Sequence, residues 1–287
     1  MKRALLLLGI VLFGFTSAYA KDVDWSSVEK VFAQKGKAQG NAFKVTFPRS
    51  DLSVLMGEVK VEPGLALTSW IGFDKMGKNA MMMGDLVLLE SEVGPVTAKL
   101  VEHGLKVTAL HNHLIGSNPP VLYLHFAGEG DPGKLAAAMY SALSVTATPM
   151  TPPKTAAAAT YDWRRVEAIL GREGQKKGDL LQYSIPRREK VKEHGMEIPP
   201  FLGVGQTINL QAVGGKVATT GDFVLIGSEV NPVVKALTEH GIMVTAVHSH
   251  MLFESPRLFF LHFWAYDTPE KVATGLKAAL GKVNLAK

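Results

Sequence analysis

Two groups of three histidines are the residues of this sequence whose types and spacing could support chemistry. In each group two histidines are separated by one residue, and a third follows after eleven more. The groups are His111, His113 and His125 in the first half of the chain, and His248, His250 and His262 in the second. Neutral imidazoles bind zinc well and also suit copper, nickel and iron. The sequence therefore indicates a candidate metal site in each half, with zinc or another divalent transition metal as the ion and copper as the alternative.

Three interpretations of these histidines follow from the sequence. In the first, the imidazoles bind a metal ion. In the second, they form a structural cluster whose ring nitrogens are satisfied by hydrogen bonds inside the fold. In the third, they line a metal-free pocket for a small polar ligand. The first interpretation is favoured because the residues around the histidines differ between the two groups while the histidines do not.

The segments that carry the histidines have the composition of a β-hairpin. Residues 106–110 and 121–124 are strand formers, and residues 116–120 between them are Gly, Ser, Asn and Pro. Strand-forming runs joined by turn residues are typical of two antiparallel strands. We therefore expect each histidine group to lie on one hairpin.

The spacing also predicts which side chains share a face. Side chains alternate along a strand, so His111 and His113 point to the same side. We expect His125 to lie opposite His111, with Tyr123 opposite His113, since directly opposed residues have Cβ atoms about 4.5–5.5 Å apart. The second group should repeat this arrangement with Phe260 in the place of Tyr123. A register different by one residue would send the third histidine to the other face.

The chain contains an internal duplication. Matching segments are 24–29 and 162–167, 47–49 and 185–187, 84–88 and 221–225, and 102–104 and 239–241. Self-similarity at a fixed offset indicates two copies of one structural unit. From residue 85 onward the first copy reads as β-α-β-β-α, which is most of a split βαβ, ferredoxin-like unit. We predict an α+β fold of two tandem repeats with pseudo-twofold symmetry, each with an antiparallel sheet.

The predicted domain boundaries follow from this duplication. Residues 1–20 have a basic start, a short apolar run and an Ala-x-Ala ending, which is typical of a secretory signal peptide cleaved after Ala20. Residues 21–143 form the first repeat domain and residues 161–287 the second. Residues 144–160 are rich in Pro, Ala and Thr and are interpreted as a linker. We expect the mature protein in the periplasm or secreted.

Composition excludes several classes of partner. The sequence has no cysteine, so disulfides and thiolate metal sites are excluded. No apolar run approaches the roughly 20 residues that a membrane-spanning helix needs, so no integral membrane span is expected. The net charge of +5 comes from basic residues interspersed with acids, and no nucleic-acid recognition motif is present. The expected partner is a metal ion or a small polar ligand, in an oligomeric state that the sequence leaves open.

Only the second copy carries charged groups in the turn after its His-x-His pair. Glu254 could act as a fourth ligand or general base, and Arg257 could hold an anionic group. The alternative is a simple ion pair across the turn. Three functions follow: metal binding, a metal-dependent hydrolase that uses the second-repeat site, or a non-catalytic ligand-binding or envelope-interaction module.

Three segments carry a resemblance to a known family. Residues 84–93, 107–114 and 244–251 are similar to the LppY/LpqO-like family of exported bacterial proteins, which is built on a domain of unknown function. The resemblance extends through both copies and implies an exported protein without naming an activity. The named family members suggest lipoproteins, and this chain departs from them because it has no cysteine for a lipid anchor.

Overall fold

The structure is a computed structural model that describes residues 24–151 and 161–286. The predicted signal peptide and residues 152–160 of the predicted linker lie outside these ranges. The first half contains α1 (Ser26–Phe32), β1 (Lys37–Gln39), β2 (Ala42–Pro48), β3 (Leu55–Met56), β4 (Val59–Lys60), β5 (Thr68–Met76), β6 (Asn79–Leu89), α2 (Glu90–Glu102), β7 (Lys106–His111), β8 (Ser117–Asn118), β9 (Val121–Gly130) and α3 (Pro132–Leu143).

The second half repeats this order with one additional 3-10 helix. It contains α4 (Arg164–Leu170), β10 (Gln175–Lys177), β11 (Leu180–Ile185), β12 (Lys192–Glu193), β13 (Met196–Glu197), the 3-10 helix (Pro200–Leu202), β14 (Gln206–Val213), β15 (Lys216–Ile226), α5 (Gly227–Glu239), β16 (Met243–His248), β17 (Glu254–Ser255), β18 (Leu258–Asp267) and α6 (Pro269–Leu280). The predicted α+β architecture of two repeats with antiparallel sheets is confirmed.

Each half is built on its own six-stranded antiparallel sheet. The strand orders are β1-β2-β5-β6-β9-β7 and β10-β11-β14-β15-β18-β16, so the halves do not share a sheet. A small three-stranded sheet accompanies each one, β4-β3-β8 in the first half and β13-β12-β17 in the second. The turn that follows each His-x-His pair therefore contributes a short strand, β8 or β17, to a second sheet.

Alternation along the central strand β6 shows how the layers are arranged. Met82 and Leu86 point to the side covered by the helices of the same half and belong to its core. Met81 and Met83 point to the opposite side, where they pack in one cluster with Phe260 of the other half. Because side chains alternate along a strand, one face of the sheet meets its own helices and the other meets the second half.

Each half also extends a segment across the sheet of the other. Residues 61–67 lie against the second sheet, where the amide of Gln182 donates to the Gly64 carbonyl (2.8 Å) and Asn209 donates to another carbonyl of this segment (2.9 Å). Residues 198–204 of the second half pack against Met81 and Met83 of the first sheet. These reciprocal contacts hold the inner faces of the two sheets together.

The repeated Pro-Arg motif has a structural role. Arg49 is fully buried and its guanidinium pairs with the Glu92 carboxylate at 2.8 Å. Arg187 and Glu229 repeat the pair at 2.7 Å. Both glutamates also accept a backbone N–H at the start of α2 or α5, which caps these helices. These ion pairs therefore fix each central helix to the sheet beside it.

The segment after α3 continues along the first half. The Ala147 N–H donates to Glu92 (3.3 Å), and Met150 packs against the first core. These residues belong to the 144–160 stretch that the sequence suggested as a linker. In the described part of the chain, no helix is both long and apolar enough to cross a membrane.

Candidate functional site

The register of the histidine hairpins differs from the predicted one by two residues. Tyr123 lies opposite His111, and His125 lies opposite Ala109. In the second half, Phe260 likewise lies opposite His248. The predicted pairing of His125 with His111 is therefore wrong. The face is still the predicted one, because a shift of two residues leaves every side chain on the same side of the sheet.

A β-bulge at Thr108 directs the first histidines to the inner face. Val107 pairs with Phe126, and the next pair along the ladder joins Ala109 to His125, so Thr108 is an extra residue. A bulge of one residue reverses the alternation beyond it. Without it, His111 would point toward the helices. The second half has the same irregularity between Val244 and Ala246.

The six histidines meet in one cluster between the two halves. The rings stack in three pairs with centroids 3.6 Å apart, namely His111 with His248, His113 with His262, and His125 with His250. Every pair joins one histidine from each half. The sequence predicted one site in each repeat, whereas the structure brings both triads into a shared site.

Backbone carbonyls orient the third histidine of each triad. His125 Nδ1 lies 3.1 Å from the Gly84 carbonyl oxygen, and His262 Nδ1 lies 3.1 Å from that of Gly221. A carbonyl only accepts, so Nδ1 carries the proton and donates, which leaves Nε2 with a free lone pair. Metal-binding histidines are oriented by such outer hydrogen bonds. A Cβ at either glycine would collide with the backbone of the neighbouring strand, which explains glycine here.

Several buried polar atoms of the cluster lack a hydrogen-bond partner among the described residues. They are both ring nitrogens of His111, the Nε2 atoms of His113, His125 and His250, and Oδ1 of Asp85. Buried polar atoms in proteins are normally hydrogen-bonded, and leaving one unsatisfied costs about 1–3 kcal/mol. Each neutral imidazole has one nitrogen with a lone pair, and a cation could accept several of these lone pairs at this point.

Two aspartates that sequence reasoning did not assign to the site lie within it. Asp85 is the direct cross-strand neighbour of His125, with Oδ1 3.8 Å from Nε2. Asp222 is the neighbour of His262, with Oδ1 3.2 Å from Nδ1. Each aspartate is the only carboxylate in its long buried strand, and the two aspartates occupy equivalent positions in the two copies. A carboxylate in such a strand is the signal that could have identified them.

Burial sets the protonation of the cluster. Desolvation, followed by the charge of His262, lowers the pKa of His248 to about 3, and desolvation lowers that of His262 to about 4. Burial raises the pKa of Asp222 to about 7, and burial together with Asp222 raises that of Asp85 well above its ordinary value. The imidazoles are therefore neutral at pH 7, which is the form that binds metals.

Three overlapping groups bring their nitrogen and oxygen atoms within 4.8 Å of one another. They are His111, His248, His250 and His262; Asp85, His111 and His125; and His113, Asp222 and His262. The second and third groups share no residue. Imidazole nitrogen and carboxylate oxygen are both zinc ligands, with bonds of roughly 2.0–2.2 Å. This donor set fits zinc and related transition metals.

Glu254 and Arg257 do not join the cluster. Arg257 Nη1 lies 3.1 Å from the Glu254 carboxylate, which also accepts the Leu258 N–H at 3.0 Å. Neither residue belongs to any of the three groups of candidate ligands in the described chain. The structure shows the ion pair across the turn that was the alternative interpretation, and the roles of fourth ligand, base or anion holder stay predictions. The carboxylate beside the second-half histidines is that of Asp222.

A cavity of about 820 Å³ opens beside the cluster. One part of its lining consists of His113, His125, His250 and both aspartates. The remainder comes from the inner faces of both sheets and from residues 60–66 of the first half. These five candidate ligands are therefore reachable by a small molecule.

Comparisons with known proteins agree with the duplication. A family model described as Domain of Unknown Function (DUF1259) matches residues 26–145 and again residues 164–282. No curated protein matches the sequence.

Among solved structures, a trimeric bacterial microcompartment shell protein, PduB, is 13% identical, with 84% of this chain and 86% of that chain covered and a TM-score of 0.21. A fused permuted hexameric shell protein from the RMM microcompartment is 12% identical, with 73% and 83% covered and a TM-score of 0.19. Similarity this low supports no inference about function.

Proposed function

We propose that this chain, which belongs in both halves to the family described as Domain of Unknown Function (DUF1259), binds transition-metal ions at the histidine cluster between its halves. The observation that carries the proposal is the set of buried ring nitrogens without hydrogen-bond partners in the described chain. A structural cluster would use these atoms in hydrogen bonds. A metal ion would satisfy several of them at once, and neutral imidazoles are ready to bind it.

The arrangement favours two ions. One would be held by Asp85, His111 and His125, and the other by His113, Asp222 and His262, because these groups have no residue in common. His250 stacks on His125, and His248 Nε2 lies 2.7 Å from His262 Nε2, so each site has a further imidazole nearby. The competing arrangement is a single ion bound by four histidines.

Elemental analysis tests this proposal. Protein produced without a histidine tag is stripped with a chelator, offered zinc or copper, and passed through a desalting column. We expect close to two ions per chain, with a marked loss in Asp85→Asn, while His103→Asn, a change at an exposed histidine, behaves like the parent protein. One ion per chain, unaffected by Asp85→Asn, would favour the four-histidine site. Stripped protein that takes up neither metal refutes the proposal.

A metal-dependent hydrolase is the second candidate. It is favoured by the two buried aspartates, which line the cavity beside the candidate metal sites, where a carboxylate not bound to an ion could act as a base. The base would then be Asp85 or Asp222 rather than Glu254. Turnover of an ester, phosphoester, lactam or glycan that stops on chelation and in Asp222→Asn would support this activity. Metal-independent turnover would exclude it.

We also propose that the protein acts outside the cytoplasm. The support is the amino-terminal sequence, with its basic start, apolar run and Ala-x-Ala ending. Fractionation of the cells and amino-terminal sequencing test it, and we expect the mature chain to begin at Lys21. A chain retained in the cytoplasm with residues 1–20 intact contradicts this proposal.

We also propose that each half contains a ferredoxin-like, split βαβ unit and that a pseudo-twofold axis relates the halves. In each half the chain order is strand, helix, strand, strand, helix, and β9 lies between β6 and β7. This strand order supports the ferredoxin-like, split βαβ assignment. The reciprocal pairing of the histidine rings supports a pseudo-twofold axis through the cluster. An experimental structure with a different strand order would overturn the assignment.

A further inference from the structure

We propose that the cavity beside the histidine cluster binds a small organic carboxylate, with its anionic group held by Lys44 and its other end directed toward the cluster. The inference deepens the proposed function, and rests on it, because the ligand would lie beside the metal centre. The contact with Lys44 itself requires no metal. A volume of about 820 Å³ lies within the range of small-molecule sites, roughly 300–1,000 Å³.

The charge of the cavity wall favours an anion. Lys44, Lys60 and Lys177 line it, against Glu62 as the one carboxylate away from the cluster. Within residues 24–151 and 161–286, none of these lysines forms an ion pair with a carboxylate. Three lysines at the wall of one cavity thus present charge that the fold does not neutralise.

Lys44 is the best placed of the three. Its Nζ lies 4.4 Å from the ring centre of Trp70 and 4.8 Å from that of Phe201, so aromatic groups of both halves hold it. Desolvation, and then the charge of Lys37, lowers the pKa of Lys44 to about 8. The ammonium group is therefore still charged at pH 7 but poorly solvated, and a bound carboxylate would compensate for the lost water.

The two halves differ at this position, which argues that Lys44 is not part of the shared scaffold. The equivalent residue in the second half is Gln182, at the offset that relates Asp24 to Asp162. Its amide donates to the Gly64 carbonyl and so holds the crossing segment against the sheet. The first half has an unpaired cation where the second has a structural amide.

The remaining lining favours a carboxylate with an apolar body. Leu65, Leu180 and Tyr123 contribute apolar side chains to the lining. In the described chain no arginine lines the cavity, so the bidentate contacts preferred by phosphate groups are missing. A single ammonium group between aromatic rings matches one negative charge.

Calorimetry with phenylacetate and its uncharged analogue phenylacetamide tests the proposal on chelated full-length protein. We expect phenylacetate to bind at least about tenfold more tightly than phenylacetamide, since a contact with a charged group typically contributes this much. Lys44→Gln should remove that preference. Glutamine is tolerated at the equivalent position of the second half, so the variant should fold. The matched control is Lys78→Gln, in an exposed turn, which should bind like the parent protein.

Equal affinity for acid and amide, no binding of either probe, or unchanged phenylacetate binding by Lys44→Gln each overturns the proposal. Phenylacetate binding that occurs only after zinc is added also overturns it, because the carboxylate would then be a metal ligand alone. Zinc uptake is measured on the same samples. Parent protein that binds phenylacetate but takes up no metal would refute the metal centre and retain the anion site.

Discussion

Replacing His113 by phenylalanine in metal-free protein separates a metal site from a structural cluster. The His113 ring is 7% exposed and lies between Tyr123 and His262, with centroids 3.6 Å away on each side. Its Nε2 has no hydrogen-bond partner in the described chain. Phenylalanine keeps the planar ring and both stacking contacts while removing the unsatisfied nitrogen.

The expected change in the free energy of unfolding follows from two opposing effects. An unsatisfied buried polar atom costs about 1–3 kcal/mol, and its removal recovers this. The slightly larger ring in a packed site costs about 1 kcal/mol. We therefore expect His113→Phe to stabilise metal-free protein by about 1 kcal/mol, or roughly 2–4 °C in Tm for a chain of this size. The same substitution should lower the number of metal ions bound.

The control is His262→Phe, at a ring whose Nδ1 has hydrogen-bond partners. Nδ1 donates to the Gly221 carbonyl at 3.1 Å and lies 3.2 Å from the Asp222 carboxylate. Phenylalanine there removes this buried donor from both oxygens, so we expect a loss of about 2 kcal/mol. The assay is urea unfolding with a chelator present, monitored by tryptophan fluorescence. If His113→Phe destabilises the protein as much as His262→Phe does, the cluster is a hydrogen-bonded scaffold and the metal proposal is refuted.

Three further outcomes are expected. Metal-free protein should lose stability from pH 7 to pH 5, because burial lowers the folded-state pKa of all six cluster histidines below the unfolded value of about 6.5, for His248 to about 3 and for His262 to about 4. Each uncompensated proton costs about 1.4 kcal/mol per pH unit, and the raised pKa values of Asp85 and Asp222 offset two of the six; a urea midpoint unchanged over this range contradicts the reasoning. Arg49→Leu should cost about 3–5 kcal/mol in urea unfolding, because it leaves Glu92 buried without its partner; a loss under 1 kcal/mol argues against this. Zinc at one hundred times its Kd should stabilise the parent protein by about 2.7 kcal/mol for each bound ion, and no shift in Tm would show that zinc does not bind the folded state.

Local pattern was enough to predict much of the scaffold. The duplication is evident from the matching segments. The α+β class follows from the strand-like and helix-like periodicities of apolar residues within each copy. That His111 and His113 share a face was also predictable, since residues two apart on a strand point the same way. Each of these properties depends on residues close together in the chain.

The pairing register was not predictable because it depends on a bulge without a local signature. Thr108 and Thr245 are ordinary strand residues, and nothing in their neighbourhood marks an extra residue in the ladder. The bulge is selected by packing. Val107 stays with the helix-side core while His111 reaches the inner face, and one inserted residue is what allows both.

The sequence by itself determined that the chain contains two copies of one α+β unit and that each carries three histidines able to share a face. Only the tertiary structure decided that both triads form one site, with Asp85 and Asp222 beside them. The cause is the burial of two inner sheet faces against each other, reinforced by the reciprocal segments 61–67 and 198–204. That burial joins side chains 137 residues apart, such as His111 and His248, and is a property of the whole fold rather than of any local pattern.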